Sequence, residues 1–155
     1  MPTTTPEQKL RLLAIELPPA AKPVGAYVPA VRAGSLIFTA AQIPTKDGKL
    51  IATGKVPRDV SLADAQAAAR QAVINALAAV RAELGTLDAV ARVVRLNVFV
   101  NSAPTFTDQP KVANGASELL LEIFGDAGRH TRCAVGAAEL PLDAPVELDL
   151  IVSAS

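Results

Sequence analysis

The fold is decided between residues 61 and 100, which read SLADAQAAARQAVINALAAVRAELGTLDAVARVVRLNVFV. The first part predicts a helix over 62–84, because apolar residues recur every three or four positions between a good N-cap, Ser61, and a terminating glycine, Gly85. The last ten residues alternate between larger apolar and polar side chains, which predicts a strand. A long amphipathic helix followed by an alternating strand indicates helices packed on a sheet.

The flanking segments extend this alternation of strands and helices. Towards the N-terminus the predicted elements are a short helix capped by Thr5 and ended by Pro18-Pro19, and strands over 27–32 and 36–41. The polar segment over 45–56 contains the turn signal Asp47-Gly48 and is predicted to be a surface loop that could hold a small hairpin. Towards the C-terminus they are a helix over 110–124 and strands over 131–138 and 146–152. After the first helix the order is β-β-α-β-α-β-β. We expect one α+β domain over 1–155, with a helix and extended segment over 1–24, and a core over 25–155. Both long helices lie on one face of its mixed sheet.

That arrangement leaves the opposite face of the sheet without a covering helix. Alternation along the strands places these residues on the open face: Arg95, Asn97, Phe99, Arg132, Glu147 and Ile151. A face of this mixed apolar and charged character is poorly suited to water. We therefore expect oligomerisation to cover it.

Composition excludes several classes of function. Fifteen basic and fifteen acidic residues give no net charge and form no basic cluster, and aromatics are only 3% of the chain, so nucleic-acid binding is not expected. The single cysteine, Cys133, fits a reducing compartment and reads as a small buried hydrophobic residue. The N-terminus lacks the pattern of a signal peptide, and no apolar run is long enough to span a membrane. We expect a cytoplasmic protein that does not bind membranes.

Two charged residues stand where a structural strand would favour apolar or small side chains. Arg132 can grip a carboxylate through its planar guanidinium, and Glu147 can handle a proton, which suits chemistry on a small organic acid. Two structural alternatives remain open at this point. Arg132 could form a salt bridge between subunits, and Glu147 could be an ordinary exposed strand residue.

The chain resembles the RidA family, also called YjgF or L-PSP proteins, from about residue 25 to its C-terminus. The motifs that carry the resemblance are FTAAQIP (38–44), KVP (55–57), Asn75, NVFV (97–100), Arg132, LP (140–141) and VE (146–147). The motifs NGASELL (114–120) and FGDAGRHTR (124–132) are similar to those of a longer branch of that family. The order and spacing of these motifs make the resemblance specific.

The resemblance implies a chorismate-mutase-like fold of the bacillus type and a homotrimer. Its three sheets would form a central barrel, with the helices outside and ligand clefts between subunits. It also implies hydrolysis of reactive 2-enamino or 2-imino acids to 2-keto acids and ammonia. No metal or organic cofactor is expected for that reaction.

The resemblance also implies roles for individual residues. Arg132 would hold the substrate carboxylate and Glu147 would orient or deprotonate the attacking water, while Tyr27 and Asn114 would line the cleft. Two positions depart from the family pattern. Ala40-Ala41 replaces the usual Ser-Gly, and Ala134 replaces a frequent cysteine, which leaves the carboxylate grip intact but puts the substrate and the activity in question.

Four residues allow both structural and functional interpretations. Tyr27 could be a half-buried strand residue with its hydroxyl bound to backbone, and Asn114 could pin a helix turn. His130 and Phe99 are further cleft candidates, but a lone histidine does not make a metal site.

Three functions therefore compete. The first is an imino-acid hydrolase, and the second is a non-catalytic small-molecule binder or regulator that keeps the trimer and the arginine. The third, RNA cleavage, comes from an alternative name of the family and is disfavoured by the neutral charge and the scarcity of aromatics.

Overall fold

The protein folds as a mixed sheet with two long helices on one of its faces. The computed structural model describes residues 3–155. This part of the chain contains three α-helices: α1 (Pro6–Leu12), α2 (Leu62–Leu84) and α3 (Gln109–Phe124). Its strands are β1 (Ala30–Ala33), β2 (Leu36–Thr39), β3 (Thr45–Lys46), β4 (Lys49–Leu50), β5 (Val90–Asn101), β6 (Thr131–Ala137) and β7 (Val146–Ala154).

Five strands form the main sheet in the order β1-β2-β7-β5-β6, so β1 and β6 are its two edges. Neighbouring strands are antiparallel except for β5 and β6, which are parallel because α3 crosses over between them. The other two strands, β3 and β4, pair around Asp47-Gly48 within the segment predicted to be a polar loop. The predicted α+β fold with a mixed sheet is confirmed.

Local sequence signals predict the bounds of α2 and the start of α1. The prediction that α1 ends at Pro18-Pro19 is wrong, because the helix already ends at Leu12. The Ser61 hydroxyl accepts a hydrogen bond from the Asp64 N–H at 3.1 Å, and Gly85 ends α2 in the left-handed conformation at φ +83°. Thr5 and Gln8 form a reciprocal capping box at the start of α1. No helix within residues 3–155 combines the length and hydropathy that a bilayer crossing requires.

The core lies between the sheet and the two long helices. Alternate residues of the central strands β5 and β7 are buried against α2 and α3. The fully buried members of these two strands include Leu96, Val100, Leu148, Leu150 and Val152. The opposite face has no covering helix in the described part of the chain. Four of its large apolar side chains are exposed by more than a third: Val31, Phe38, Phe99 and Val135.

The first strand is shorter than predicted. The sequence pattern predicts a strand over 27–32, whereas β1 covers Ala30–Ala33 and Tyr27 lies in the loop before it. Pro29 explains the later start, because proline has no N–H to donate to a ladder. The prediction that the strand begins at Tyr27 is therefore wrong.

Gly115 is required by the close approach of α3 to α2. A Cβ atom at this position would lie 2.1 Å from the backbone oxygen of Gln66, which is far inside normal contact distance. Glycine destabilises a helix interior by about 0.5–1 kcal/mol relative to alanine. The close packing of α3 on α2 must therefore stabilise the fold by more than that amount. The backbone oxygen cannot rotate away as a side chain could, and the helices would have to separate.

We expect Gly115→Ala to destabilise the protein although alanine favours helices. The overpacking should lower the free energy of unfolding by about 1–3 kcal/mol, as measured by urea denaturation at one protein concentration. Glu118→Ala, at an exposed position of the same helix, is the control and should leave the midpoint nearly unchanged. A Gly115→Ala midpoint equal to or above that of wild type would contradict this account of the helix contact.

Candidate functional site

Arg132 lies on the helix-covered face of the sheet rather than on the open face. It is the second residue of β6 and is in register with Leu96 of the parallel neighbour β5. Registered partners point to the same side of a sheet, and Leu96 is fully buried beneath the helices. The prediction that Arg132 shares the open face with Glu147 is therefore wrong. Its side chain projects past the sheet edge towards α3.

Two residues of α3 hold the Arg132 side chain. Nη1 of Arg132 donates to Oδ1 of Asn114 at 2.7 Å and to Oγ of Ser117 at 3.2 Å. Asn114 and Ser117 are three residues apart, so they are neighbours on one helix face. Among residues 3–155 Arg132 forms no salt bridge, and the Nε–Nη2 edge of the guanidinium makes no hydrogen bond. Arg132 is an exposed residue, and its Nε–Nη2 edge has the fork geometry that binds a carboxylate through two parallel bonds.

His130 belongs to the same group of side chains. It precedes β6, and its Nε2 lies 2.9 Å from Oγ of Ser117, while its Nδ1 lies 2.6 Å from the carbonyl oxygen of Gly128. His130 therefore reaches Arg132 only through Ser117. Sequence reasoning missed Ser117, although its spacing from Asn114 on a predicted helix was a usable signal.

Glu147 stands on the open face, in register with Phe99 of β5. Burial raises the pKa of the Glu147 carboxyl above its usual range, and repulsion from Asp149 on the same strand raises it further. Asp149 is tied to Asn97, whose amide donates to Oδ1 of Asp149 at 2.8 Å. A carboxyl whose pKa is moved towards neutrality is suited to proton transfer.

Cys133 and Ala134 lie on opposite faces of β6. Cys133 is in register with Asn97 on the open face and is partly exposed rather than fully buried. Ala134 is in register with Val98 and lies on the same face as Arg132, packed against the core.

The predicted site residues do not converge within one chain. Arg132 and Asn114 lie at the β6 edge on the helix side, and Glu147 and Phe99 lie on the open face. Tyr27 is 53% exposed beyond β1, at the other edge of the sheet. The backbone of the sheet separates Arg132 from Glu147, and its full width separates Arg132 from Tyr27.

Two concave regions of the surface lie away from these residues. They have volumes of about 520 and 840 Å³, and the segment that follows α1 supplies half of the residues that line each of them. Within residues 3–155 no group of three or more His, Cys, Asp or Glu side chains is placed to hold a metal ion.

A family model described as "YjgF/chorismate_mutase-like, putative endoribonuclease" matches residues 7–152. The chain therefore belongs to the YjgF/RidA family, with its chorismate-mutase-like fold, and the resemblance seen in the sequence is confirmed. Among relatives, Protein TCP17 of Trypanosoma cruzi is 47% identical over 92% of this chain and 90% of its own length. A 2-iminobutanoate/2-iminopropanoate deaminase of Dermatophagoides farinae is 30% identical over 89% and 93% of the two chains.

Solved structures agree with the fold. Atu1372 of Agrobacterium tumefaciens, a protein of unknown function, is 45% identical with a TM-score of 0.89, over 97% of this chain and 92% of that one. A Shewanella oneidensis protein is 36% identical with a TM-score of 0.93, over 96% and 99%. Escherichia coli TdcF, solved with bound serine, is 28% identical with a TM-score of 0.64, over 90% and 94%.

We expect Asp149→Asn to lower the pKa of the Glu147 carboxyl towards its usual range. The substitution removes the repelling charge but leaves the burial, so the shift should be partial. A 13C-detected pH titration of the Glu147 carboxyl measures it, with Glu139→Gln, at an exposed position, as the control. An unchanged midpoint in Asp149→Asn would contradict the assigned cause.

The raised pKa also gives the sign of the effect on stability. An ionised Glu147 is less favourable in the folded chain than in the unfolded chain, so it destabilises the fold above the folded-state pKa. That destabilisation disappears as the pH falls below the ordinary carboxyl range.

Proposed function

We propose that this protein hydrolyses 2-imino acids, or their 2-enamino tautomers, to 2-keto acids and ammonia, at clefts between the subunits of a homotrimer. The observation that carries the proposal is the state of Arg132. Two uncharged acceptors of α3 hold one of its nitrogens, and within residues 3–155 its Nε–Nη2 edge makes no hydrogen bond. A guanidinium whose charge is not neutralised by a neighbouring acid is suited to an anionic ligand.

The opposite placement of Arg132 and Glu147 supports a site shared between copies. One chain cannot bring them together, but a ring in which the β1 side of one copy meets the β6 edge of the next can. Such a contact is heterologous, and a heterologous contact generates a ring when its rotation closes. The apolar side chains exposed near β1 and on the open face would be covered by it; they include Val24, Val28, Val31 and Phe38.

In the proposed reaction Arg132 binds the substrate carboxylate and fixes the position of C2. Glu147 of a neighbouring copy accepts a proton from a water molecule as its oxygen bonds to C2, and the C=N electrons move to nitrogen. That proton passes to the nitrogen and gives a neutral carbinolamine. Glu147 then accepts the hydroxyl proton as the C=O bond forms and the C–N bond breaks, and the departing nitrogen takes up that proton to leave as ammonia. Water is the only co-reactant, and Glu147 is regenerated.

The non-catalytic alternative also has an observation in its favour. Ala134 lies two residues beyond Arg132 on the same strand face and offers no polar group to a ligand. A protein that binds 2-keto acids through Arg132 without turning over imines would fit that face. The deciding assay generates 2-iminobutanoate in situ and measures whether the protein accelerates ammonia release.

We expect Arg132→Ala to abolish hydrolysis and to weaken 2-oxobutanoate binding while the fold is retained. Losing the charge-assisted fork should cost about 2–4 kcal/mol of binding free energy, measured by calorimetric titration. Arg132→Lys should recover only part of the affinity, because one ammonium cannot replace the planar fork. Equal binding by wild type and a folded Arg132→Ala would refute the assigned role.

Mixed assemblies of two inactive variants should recover activity if each cleft takes its two residues from different copies. Glu147→Gln alone should bind 2-oxobutanoate within a few-fold of wild type but lose roughly 10²–10⁴ of the turnover rate. Co-refolded with Arg132→Ala, about one cleft in four should contain both native residues. The control partner is the double variant Arg132→Ala/Glu147→Gln, which cannot complete any cleft.

Light scattering should accompany that experiment. We expect a particle of three times the 16.0 kDa chain mass for wild type and for both variants. A monomer at micromolar concentration would remove the shared cleft. Mixed trimers without recovered activity would place Arg132 and Glu147 in different sites.

A further inference from the structure

A chain of hydrogen bonds extends from Arg132 to the backbone beyond α3. Nη1 of Arg132 donates to Oγ of Ser117 at 3.2 Å, and Ser117 Oγ lies 2.9 Å from Nε2 of His130. Nδ1 of His130 lies 2.6 Å from the carbonyl oxygen of Gly128. The two residues between the guanidinium and the backbone, Ser117 and His130, have no role in the reaction described above.

The chemistry of the four groups determines the direction of each bond. A carbonyl oxygen only accepts, so the Nδ1 of His130 carries the hydrogen in the neutral imidazole. Nε2 is then an acceptor, and the Ser117 hydroxyl donates its hydrogen to it. The lone pairs of Ser117 Oγ are left for Arg132. His130 thereby orients the hydroxyl so that it presents an acceptor, rather than its hydrogen, to the guanidinium.

The far end of this chain is rigid. Gly128 is buried, and a Cβ atom there would lie 2.3 Å from the backbone oxygen of Leu120, so the loop after α3 packs directly on the helix. The carbonyl that holds His130 and the helix that carries Ser117 are therefore parts of one packed unit. A flexible arginine held by such a unit loses less conformational freedom when it binds a ligand.

We propose that Ser117 and His130 are positioning residues: together they hold the Arg132 guanidinium in the orientation that binds a carboxylate, with His130 as the Nδ1–H tautomer. This inference rests on the proposed carboxylate-binding role of Arg132. The segments GRHTR (128–132) and NGAS (114–117) then act together to orient one arginine, and neither supplies a second reactive group.

Ligand affinity provides the first test. Ser117→Ala should weaken 2-oxobutanoate binding about 3- to 10-fold, the scale of one hydrogen bond, and Ser117→Thr, which keeps the hydroxyl, should stay within about twofold of wild type. His130→Ala should match Ser117→Ala, and His130→Gln, whose side-chain oxygen can accept from Ser117, should recover part of the affinity. Arg129→Gln, at the exposed neighbouring position, is the control and should bind like wild type.

Kinetics separate positioning from a general loss of structure. Since the carboxylate is held in both the ground state and the transition state, Ser117→Ala should raise KM for 2-iminobutanoate and leave kcat within about twofold. A merely structural role would lower the folded fraction and the apparent kcat without changing KM.

Imidazole 15N spectra provide a test that is independent of activity. His130 is the only histidine, so its two ring nitrogens are assigned without ambiguity. We expect the Nδ1–H tautomer in wild type and a displaced Nε2 resonance in Ser117→Ala. Adding 2-oxobutanoate should move the Nε2 resonance in wild type but not in Arg132→Ala. The opposite tautomer, or unchanged affinity in a folded Ser117→Ala, would overturn the proposal.

The outcomes also distinguish this inference from the proposed function. Carboxylate binding that depends on Ser117 without imine hydrolysis would support the inference and refute the enzyme. Imine hydrolysis that is unchanged by substitution of Ser117 or His130 would support the enzyme and refute the inference. Wild type that neither binds 2-keto acids nor hydrolyses 2-iminobutanoate would refute both.

Discussion

The parallel register between β5 and β6 is the constraint on which the site depends. Pairing Arg132 with Leu96 places the guanidinium on the face covered by α3. There it donates hydrogen bonds to the neutral side chains of Asn114 and Ser117. A slip of one residue would send Arg132 to the open face and Cys133 to the helix, because side chains alternate across a strand. The close contact of α3 with α2 at Gly115 fixes the position of α3, and α3 carries the acceptors that contact Arg132.

Arg132 and Glu147 have opposite electrostatic environments. Arg132 keeps its charge exposed, because its partners are an amide and a hydroxyl rather than a carboxylate. Glu147 is partly desolvated and faces a like charge, so its ionised form is disfavoured. A guanidinium without a neighbouring acid is suited to an anionic ligand, and a carboxyl with a raised pKa is suited to proton transfer. The two groups are therefore complementary for chemistry on a small acid. Because the sheet separates them, the fold of one chain does not bring Arg132 and Glu147 together.

The sequence predicted the features that depend on short-range interactions, and it did not predict those that depend on packing between distant segments. The bounds of α2 were predictable because Ser61 and Gly85 act within one helical turn of its ends. The alternation of β7 was equally clear, since a central strand buries every second residue. The face of Arg132 was not predictable from β6. At this sheet edge, exposed and partly buried residues lie on both faces, so the burial pattern shows no clear period.

The sequence by itself determined the order of elements, the helix caps, the family and the identity of the charged residues, because local periodicity and short motifs carry that information. Only the tertiary structure decided which face and which edge each residue occupies. Strand pairing joins segments that are far apart in the chain, and its register depends on packing over the whole sheet. For the same reason the contact between Ser117 and His130 emerged only once α3 had been placed against β6.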